Sequence, residues 1–357
     1  MHDVPSGFEI SGREIGQGLP AYIVAEMSAN HHQDFDHAVR LIETAKENGA
    51  EAIKLQTYTP DTLTIDVDSD LFRCGKGSPW EGRTRYSLYE EAHMPWEWQP
   101  ALAQIANDLG LDLFSTAYDD TAVDFLEEMD VPAYKVASFE LVDLPLLRRV
   151  AQTHKPVILS TGMATLCEID EAIRTIREAG ARQLALLKCT SAYPAPAEEV
   201  NLRTIPHLAE AFDVPVGLSD HTLAIGVPVA AVALGACIVE KHLTLSRADG
   251  GPDSAFSVEP HEFKEMVEAI RVAENALGRV RYDVTDQERE SRVARRSLFV
   301  VEDVKAGERF TRRNVRSIRA GHGLHTRYLG EILGRRAADD ARRGTPLTGA
   351  LVAEGRF

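Results

Sequence analysis

Short runs of apolar, often β-branched residues recur along the chain, and each ends abruptly in charged or polar positions. Eight can be read: residues 21–26 (AYIVAE), 52–57 (AIKLQT), 111–116 (LDLFST), 133–138 (AYKVAS), 156–162 (PVILSTG), 184–190 (LALLKCT), 214–221 (VPVGLSDH) and 237–242 (CIVEKH). Near-continuous apolar runs of this length are expected of parallel strands covered on both faces. Stretches with helical periodicity lie between them. Leu41, Ile42 and Ala45 share one face of a predicted helix over 35–48, and Ile169, Ala172, Ile173 and Ile176 share one over 168–179. Eight strands alternating with helices over roughly 250 residues predict an α/β fold, a (β/α)8 TIM barrel. A doubly wound open sheet is the alternative, weakened because no G-x-G-x-x-G follows the first strand.

The pattern is interrupted once at length, over residues 58–98, where all 3 tryptophans of the chain fall. A loop that long in a compact barrel is usually functional, often a lid. An aromatic cluster packing a surface helix onto the barrel is the competing reading. After the eighth run come a polar loop (SRADGGPDSAFS), a predicted helix from Pro260 to about Leu277, and a charged connector over 279–293 that ends a barrel domain of residues 1–278. Residues 294–357 differ in kind, with short β-like runs (SLFVV), a KAGE turn and a TPLTG segment that predict a small β-rich domain.

Charge divides the chain at the same place. Residues 294–357 hold 14 Lys+Arg and 7 Asp+Glu, a balance of +7; the remainder holds 25 (39 − 14) and 48 (55 − 7), a balance of −23. A basic module on an acidic barrel invites docking of one on the other, within a subunit or between subunits. The module lacks interleaved exposed aromatics, which argues against a nucleic-acid role. The overall charge of −16 argues against nucleic acid and anionic membrane surfaces as partners. The N-terminus lacks the basic start and apolar core of a signal peptide, and the longest apolar stretch, 227–239, is too short and Gly-interrupted to span a bilayer. The 4 cysteines show no CxxC spacing, and Cys189 and Cys237 fall within predicted strands. They are expected to be reduced core residues of a cytoplasmic protein.

The predicted strand ends gather the candidate chemistry. His221 and His242 close consecutive strands, so parallel neighbours would bring both imidazoles, with carboxylates beside them, to the barrel's ligand-binding end. Two separately satisfied histidines are the plain alternative; the repeated strand-end context favours a divalent-metal site. Lys54 and Lys135 sit inside apolar strands, where an unpaired ammonium is costly. They are expected either in buried salt bridges or facing an anion in the lumen. Around them stand Glu26, Gln56, Ser115, Thr116, Ser138, Glu140, Ser160, Thr161, Lys188, Thr190, Ser191, Ser219 and Glu240. Lysines and hydroxyls around one mouth suit a phosphorylated carboxylate substrate. A Schiff-base lysine, as in a class I aldolase, is a second option, disfavoured by the two histidines.

The segments AEMSANH, KLQTY, STAYD, YKVASFE, STGM, LLKCTSAYP, GLSDHT, EKHLT and GPDSAFS occur in that order. Together they resemble the sialic-acid synthase family. IRAGHGL resembles the IRPGxGL signature of that family's C-terminal module, the SAF domain related to type III antifreeze proteins. The resemblance runs from about Glu14 to Leu351. Within the family, AEMSANH and the loop WEGRTRYSLYEEAHMPWEW resemble the pseudaminic acid branch. Lys188 and Ser191 depart from the LLHCTNxY of the neuraminate branch, and Ala320 replaces the usual proline of IRPG.

The resemblance implies condensation of phosphoenolpyruvate with an open-chain amino-sugar aldehyde, releasing phosphate. It implies a divalent metal on His221 and His242, Mn2+ first, with Mg2+ or Co2+ as alternatives. Lys54, Lys135, Thr116, Ser138, Ser160, Ser191 and Ser219 would hold carboxylate and phosphate, and Glu26, Tyr193, Asp253 and Arg319 the sugar. Arg319 would reach in from the partner of a domain-swapped homodimer. Glu26, Glu140 and Glu240 are candidates for proton transfer or for orienting ligands. Legionaminic or N-acetylneuraminic acid synthesis is the nearest alternative. A metal-dependent pyruvate aldolase and a non-catalytic sugar-binding barrel are more distant ones.

Overall fold

The computed structural model describes residues 7–353, and the chain divides between Gly278 and Arg279 into two compact units. In the first, eight parallel strands close into a barrel: β3 (Tyr22–Glu26), β4 (Ala52–Thr57), β5 (Asp112–Ala117), β6 (Tyr134–Val136), β7 (Val157–Ser160), β8 (Leu184–Cys189), β9 (Val216–Asp220) and β10 (Ile238–His242), the last pairing with β3. These are the eight runs expected from the sequence. The helices Phe35–Glu47, Leu166–Glu178 and Pro260–Leu277 fall where the periodicity puts them. Among the described residues no helix is long and apolar enough to cross a membrane.

Each strand serves two faces because successive side chains alternate. Outward positions such as Ile23, Ile53, Leu113, Leu159 and Leu186 join the helices' apolar faces in the main core. Lumen positions form a second apolar cluster, including Tyr22, Val24, Ala52, Phe114, Ile158, Leu187 and Ile238. A hairpin not anticipated in the sequence, β1 (Phe8–Ile10) with β2 (Arg13–Ile15), adds Phe8, Ile10 and Ile15 to that cluster. The Glu9 amide donates to Gln183, just ahead of β8. The hairpin therefore plugs the N-terminal end of the barrel. Its turn at Ser11 and Gly12 has positive φ at both residues, the conformation that tight hairpins require.

The second unit contains a two-stranded antiparallel sheet, β11 (Arg296–Val300) with β12 (Val315–Arg319). Phe299 of β11 also bridges to Pro346, and separate isolated bridges pair Val304 with Ala341 and Ala337 with Val352. Leu298, Val300, Val304, Phe310, Val315, Ile332 and Leu347 form its own core. Within 279–293, expected as a connector, a short helix Asp286–Ser291 starts in a Thr285/Glu288 capping box.

Packing in the lumen is tight at Gly217. A Cβ there would lie 2.4 Å from the Ile238 carbonyl oxygen and 2.7 Å from Leu187 Cδ2. Gly217→Ala should destabilise the protein by about 1–3 kcal/mol, the usual cost of overpacking a filled interior. Denaturant unfolding checks this, and an unchanged midpoint would mean that the lumen yields freely.

Candidate active site

The lumen changes character along each strand. Moving toward the carboxyl ends, Val24 is followed by Glu26, Ala52 by Lys54, Phe114 by Thr116, and Ala133 by Lys135. Likewise Ile158 precedes Ser160, Leu187 precedes Cys189, and Gly217 precedes Ser219 and His221. The steps are two residues, so each pair shares the inward face. Above the apolar layer the strand ends line a cavity of about 470 Å³.

Its floor is a buried charge cluster. Lys54 Nζ lies 2.6 Å from Glu26 Oε2 and donates to Thr116 Oγ1 at 3.0 Å. Lys135 Nζ donates to Ser160 Oγ at 2.6 Å. Glu240 stands between the lysines, 3.9 Å from Lys54 and 4.0 Å from Lys135, and accepts from Ser219 Oγ at 3.0 Å. Burial would raise the Glu240 carboxyl, but Lys135 and Lys54 outweigh it and hold the group below its ordinary range. Glu26 is pushed up to about 7 by burial, despite Lys54 beside it. Burial lowers Lys135. Lys54 is raised: its own burial opposes the charge, and Glu240 and Glu26 overcome that. Two ammonium groups thus share one firmly ionised carboxylate, which leaves the floor receptive to an anion.

The two histidines meet at the edge of this floor, their ring centroids 5.2 Å apart. His221 Nδ1 lies 2.9 Å from the Thr190 carbonyl oxygen. Donation there orients the ring and leaves Nε2 with its lone pair. His242 Nδ1 is buried with no hydrogen-bond partner. Burial, with His221 next in weight, keeps the His242 ring's affinity for a proton well below the ordinary value. A neutral imidazole with an unsatisfied nitrogen facing a second imidazole suits a divalent ion. Among the described residues, no three His, Cys, Asp or Glu side chains converge as a complete metal cage. The two rings therefore fit an ion whose other ligands come from solvent or substrate. Of the carboxylates flanking the histidines, Glu240 faces the lumen, whereas Asp220 faces outward and pairs with Lys241 at 2.6 Å.

Glu26, Lys54, Thr116, Lys135, Ser138, Glu140, Ser160, Tyr193, Ser219, His221, Glu240, His242 and Asp253, all singled out from the sequence, line this one cavity. Asp253 accepts from Ser28 Oγ and from the Ala29 amide, which fixes the loop after β10 against the loop after β3. Ser191 is outside the lining. It packs against Gly162, where a Cβ would meet its Oγ, and lies 3.8 Å from Cys189 Sγ. Arg319 is an exposed residue of β12 in the second unit. Cys189 lines the cavity as well as being buried, with Sγ 3.9 Å from His221 Nδ1. The two-residue spacing from Ala185 and Leu187 carries the signal that would have found it. Tyr58, Tyr118, Trp80, Arg85, Leu88 and Phe256 are among the other residues of its wall.

The tryptophans of the 58–98 segment divide between packing and cavity lining. Trp96 and Trp98 are structural: Trp96 packs on Phe125 and donates to the Tyr58 carbonyl, while Trp98 sits edge-on to Phe35 and His31. Trp80 reaches the cavity, packs against Tyr193 and Phe256, and donates through Nε1 to the Pro252 carbonyl at 2.7 Å.

Glu140 lines the cavity with a buried Oε2 that has no partner, and burial raises its carboxyl from 4.5 to about 7. The folded protein therefore keeps a proton that the unfolded chain gives up between those values, and stability falls as pH rises through that window. Glu140→Gln removes this contribution. The melting temperature of the unsubstituted protein, relative to the variant, should drop between about pH 4.5 and 7. A constant difference would mean that Glu140 titrates as an ordinary carboxyl.

Residues 41–282 match the NeuB family and residues 295–353 match the SAF domain. The chain is 42% identical to the pseudaminic acid synthase of Helicobacter pylori, over 92% of this chain and 97% of that one. It is 36% identical to the N,N'-diacetyllegionaminic acid synthase of Legionella pneumophila, over 93% of this chain and 94% of that one. A crystal structure of N-acetylneuraminic acid synthetase from Leptospira borgpetersenii, in complex with citrate, superposes with a TM-score of 0.72 at 28% identity, covering 82% of this chain and 96% of that one. With the family model matching residues 41–282, most of the barrel, and a relative 42% identical over 92% of the chain, the chain belongs to the NeuB family.

Proposed function

We propose that this enzyme condenses phosphoenolpyruvate with 2,4-diacetamido-2,4,6-trideoxy-L-altrose to give pseudaminic acid and phosphate. The coarser part follows from family membership: the chain is a phosphoenolpyruvate-dependent sugar-acid synthase, a transferase. The observation that carries the chemistry is the pair of buried lysines sharing one carboxylate beneath two converging histidines. The choice of sugar is supported by 42–43% identity to pseudaminic acid synthases, against 34–36% to legionaminic acid synthases.

In this reading Lys54 and Lys135 supply compact positive charge to the substrate's carboxylate and phosphate. Thr116, Ser138, Ser160 and Ser219 supply oriented hydroxyls beside them. These donors are already held by the barrel, so little reorganisation is needed when the anion arrives. His221 and His242 would hold a divalent ion, Mn2+ in the first place, which supplies Lewis acidity toward the acceptor's carbonyl oxygen. Carbon–carbon bond formation requires the enol face and the aldehyde carbon at near contact in a water-poor site. The deep floor and the 58–98 segment provide that enclosure. As the bond forms, the aldehyde oxygen takes up a proton; water adds at C2 and phosphate departs. Glu26 and Glu140, both raised by burial to about 7, are suited to exchange these protons near neutral pH. Ser191 lies outside the cavity lining and is not needed for this reading, whereas Arg319 would reach the sugar from the partner of a domain-swapped homodimer.

Phosphate release from phosphoenolpyruvate with Mn2+ should be fastest with the trideoxy altrose sugar, slower with its mannose-configured counterpart, and slowest with N-acetylmannosamine. Preference for either of the others would keep the chemistry and discard the acceptor. His221→Ala and His242→Ala should each lose bound metal, measured by elemental analysis after dialysis, and about a hundredfold or more of the rate. Retention of metal and rate in both variants would remove the histidines from the metal reading.

A further inference from the structure

Five aromatic rings form a continuous series from the 58–98 segment to the two histidines. Trp80 packs against Tyr193 and Phe256, with ring centroids 5.7 and 6.1 Å away. Those two rings are 5.0 Å from one another. Tyr193 then lies 4.5 Å from His221, and Phe256 lies 5.1 Å from His242 and 6.4 Å from His221. Among the described residues Trp80 makes no ring contact with either histidine, so it reaches them only through this pair. Trp80, Tyr193 and Phe256 come from the loops after three different strands, β4, β8 and β10. Exposure follows the same order: Trp80 is half-buried at the outside, whereas Phe256, His221 and His242 are buried.

Trp80 is held in this place from two sides. Its Nε1 donates to the Pro252 carbonyl at 2.7 Å, and Pro252 is next to Asp253, which Ser28 and the Ala29 amide fix. Its own carbonyl accepts from the Arg83 amide at 3.1 Å, the Cys74 amide donates to the Arg83 carbonyl at 2.9 Å, and Arg73 bridges to Thr84. The turn that carries the indole is therefore closed on itself and tied across to the loop after β10. An ion held by only two imidazoles depends on how readily water displaces them, and apolar groups packed around such ligands control that access. The layer of Tyr193 and Phe256 covers one side of the imidazole pair, and the indole covers that layer.

We propose that Trp80 is a positioning residue for the metal site: it closes an aromatic shell over His221 and His242 and slows the exchange of their ion with solvent. This deepens the proposed function and rests on its reading of the two histidines as metal ligands. Trp80 acts through Tyr193 and Phe256, so its removal leaves both imidazoles in place and changes what water can reach. The ring matters more than its N–H. Contacts with two rings seal the layer, and the single hydrogen bond to Pro252 sets the indole's orientation.

The test follows release of Mn2+ from the full-length, Mn2+-loaded protein into an excess of a chromogenic chelator, with no substrate present and well below the unfolding transition. Trp80→Ala should release the ion about ten- to a hundredfold faster than the unsubstituted protein, the range over which groups behind metal ligands act. Trp80→Phe, which keeps a ring and loses the N–H, should stay within about threefold of the unsubstituted rate. Trp96→Phe, in the same segment but packed on Phe125 outside the cavity, should release the ion at the unsubstituted rate. If Trp80→Ala does not fold, Trp80→Gln, which keeps a donor for Pro252 but no ring, decides. Equal release from the unsubstituted protein and the folded ringless variant would overturn the shell and leave the histidine site standing. Equal acceleration by Trp96→Phe would do the same. No Mn2+ bound by the unsubstituted protein, or an ion still held after His221→Ala and His242→Ala, would overturn both.

Discussion

Two ammonium groups and two carboxylates packed inside a closed barrel are the constraint to which the rest of this fold answers. Lys54, Lys135, Glu26 and Glu240 are all nearly inaccessible to solvent. Charges in such a place are expensive unless paired, and removing one member of a buried pair costs about 3–5 kcal/mol. The barrel meets that cost with geometry. Parallel pairing sets Lys54 beside Glu26 on β3 and puts Glu240 of β10 next to Ser219 of β9. The apolar layer beneath, sealed by the β1–β2 hairpin, shuts off the opposite end of the lumen. Weak screening makes the cluster costly to assemble and also makes it strong toward an incoming anion. In the proposed reaction, ground-state stability and substrate affinity therefore draw on the same four side chains.

Period-two alternation explains why so much of this was legible in sequence. Eight apolar runs ending in polar residues give both the barrel and its mouth, and the lumen parity of Lys54, Lys135, Ser219, His221, Glu240 and His242 follows from their spacing. What escaped is informative for the same reason. Cys189 has that parity too, yet a cysteine among leucines reads as core, which it also is. Asp220 looks like a metal-site carboxylate by proximity to His221, but one residue along a strand is the opposite face. The hairpin at 8–15 is too short for its pattern to stand out, and only the open end of the barrel gives it a purpose. Trp80, Tyr58 and Phe256 reach the cavity from loops, where no periodicity fixes direction. Ser191 follows the end of β8, where the strand rule no longer applies.

The opposite face of the same two strands completes the argument. Asp220 and Lys241 are registered partners on β9 and β10, each adjacent in sequence to one of the cavity histidines. Lys241 Nζ donates to Asp220 and to the Thr222 carbonyl, and Asp220 accepts from the Thr222 amide at 3.0 Å. This second ion pair lies among the helices, on the side of the strands away from substrate. Its hydrogen bonds hold the backbone immediately before and after His221. S-D-H and E-K-H are thus bifacial segments: alternate residues serve the cavity, and the residues between them tie the strand ends together. His242, whose Nδ1 has no hydrogen-bond partner, is held by ring contacts with His221 and Phe256 and by the backbone beneath it. The cost of burying Asp220 and Lys241 is therefore best understood as the cost of holding two histidines still.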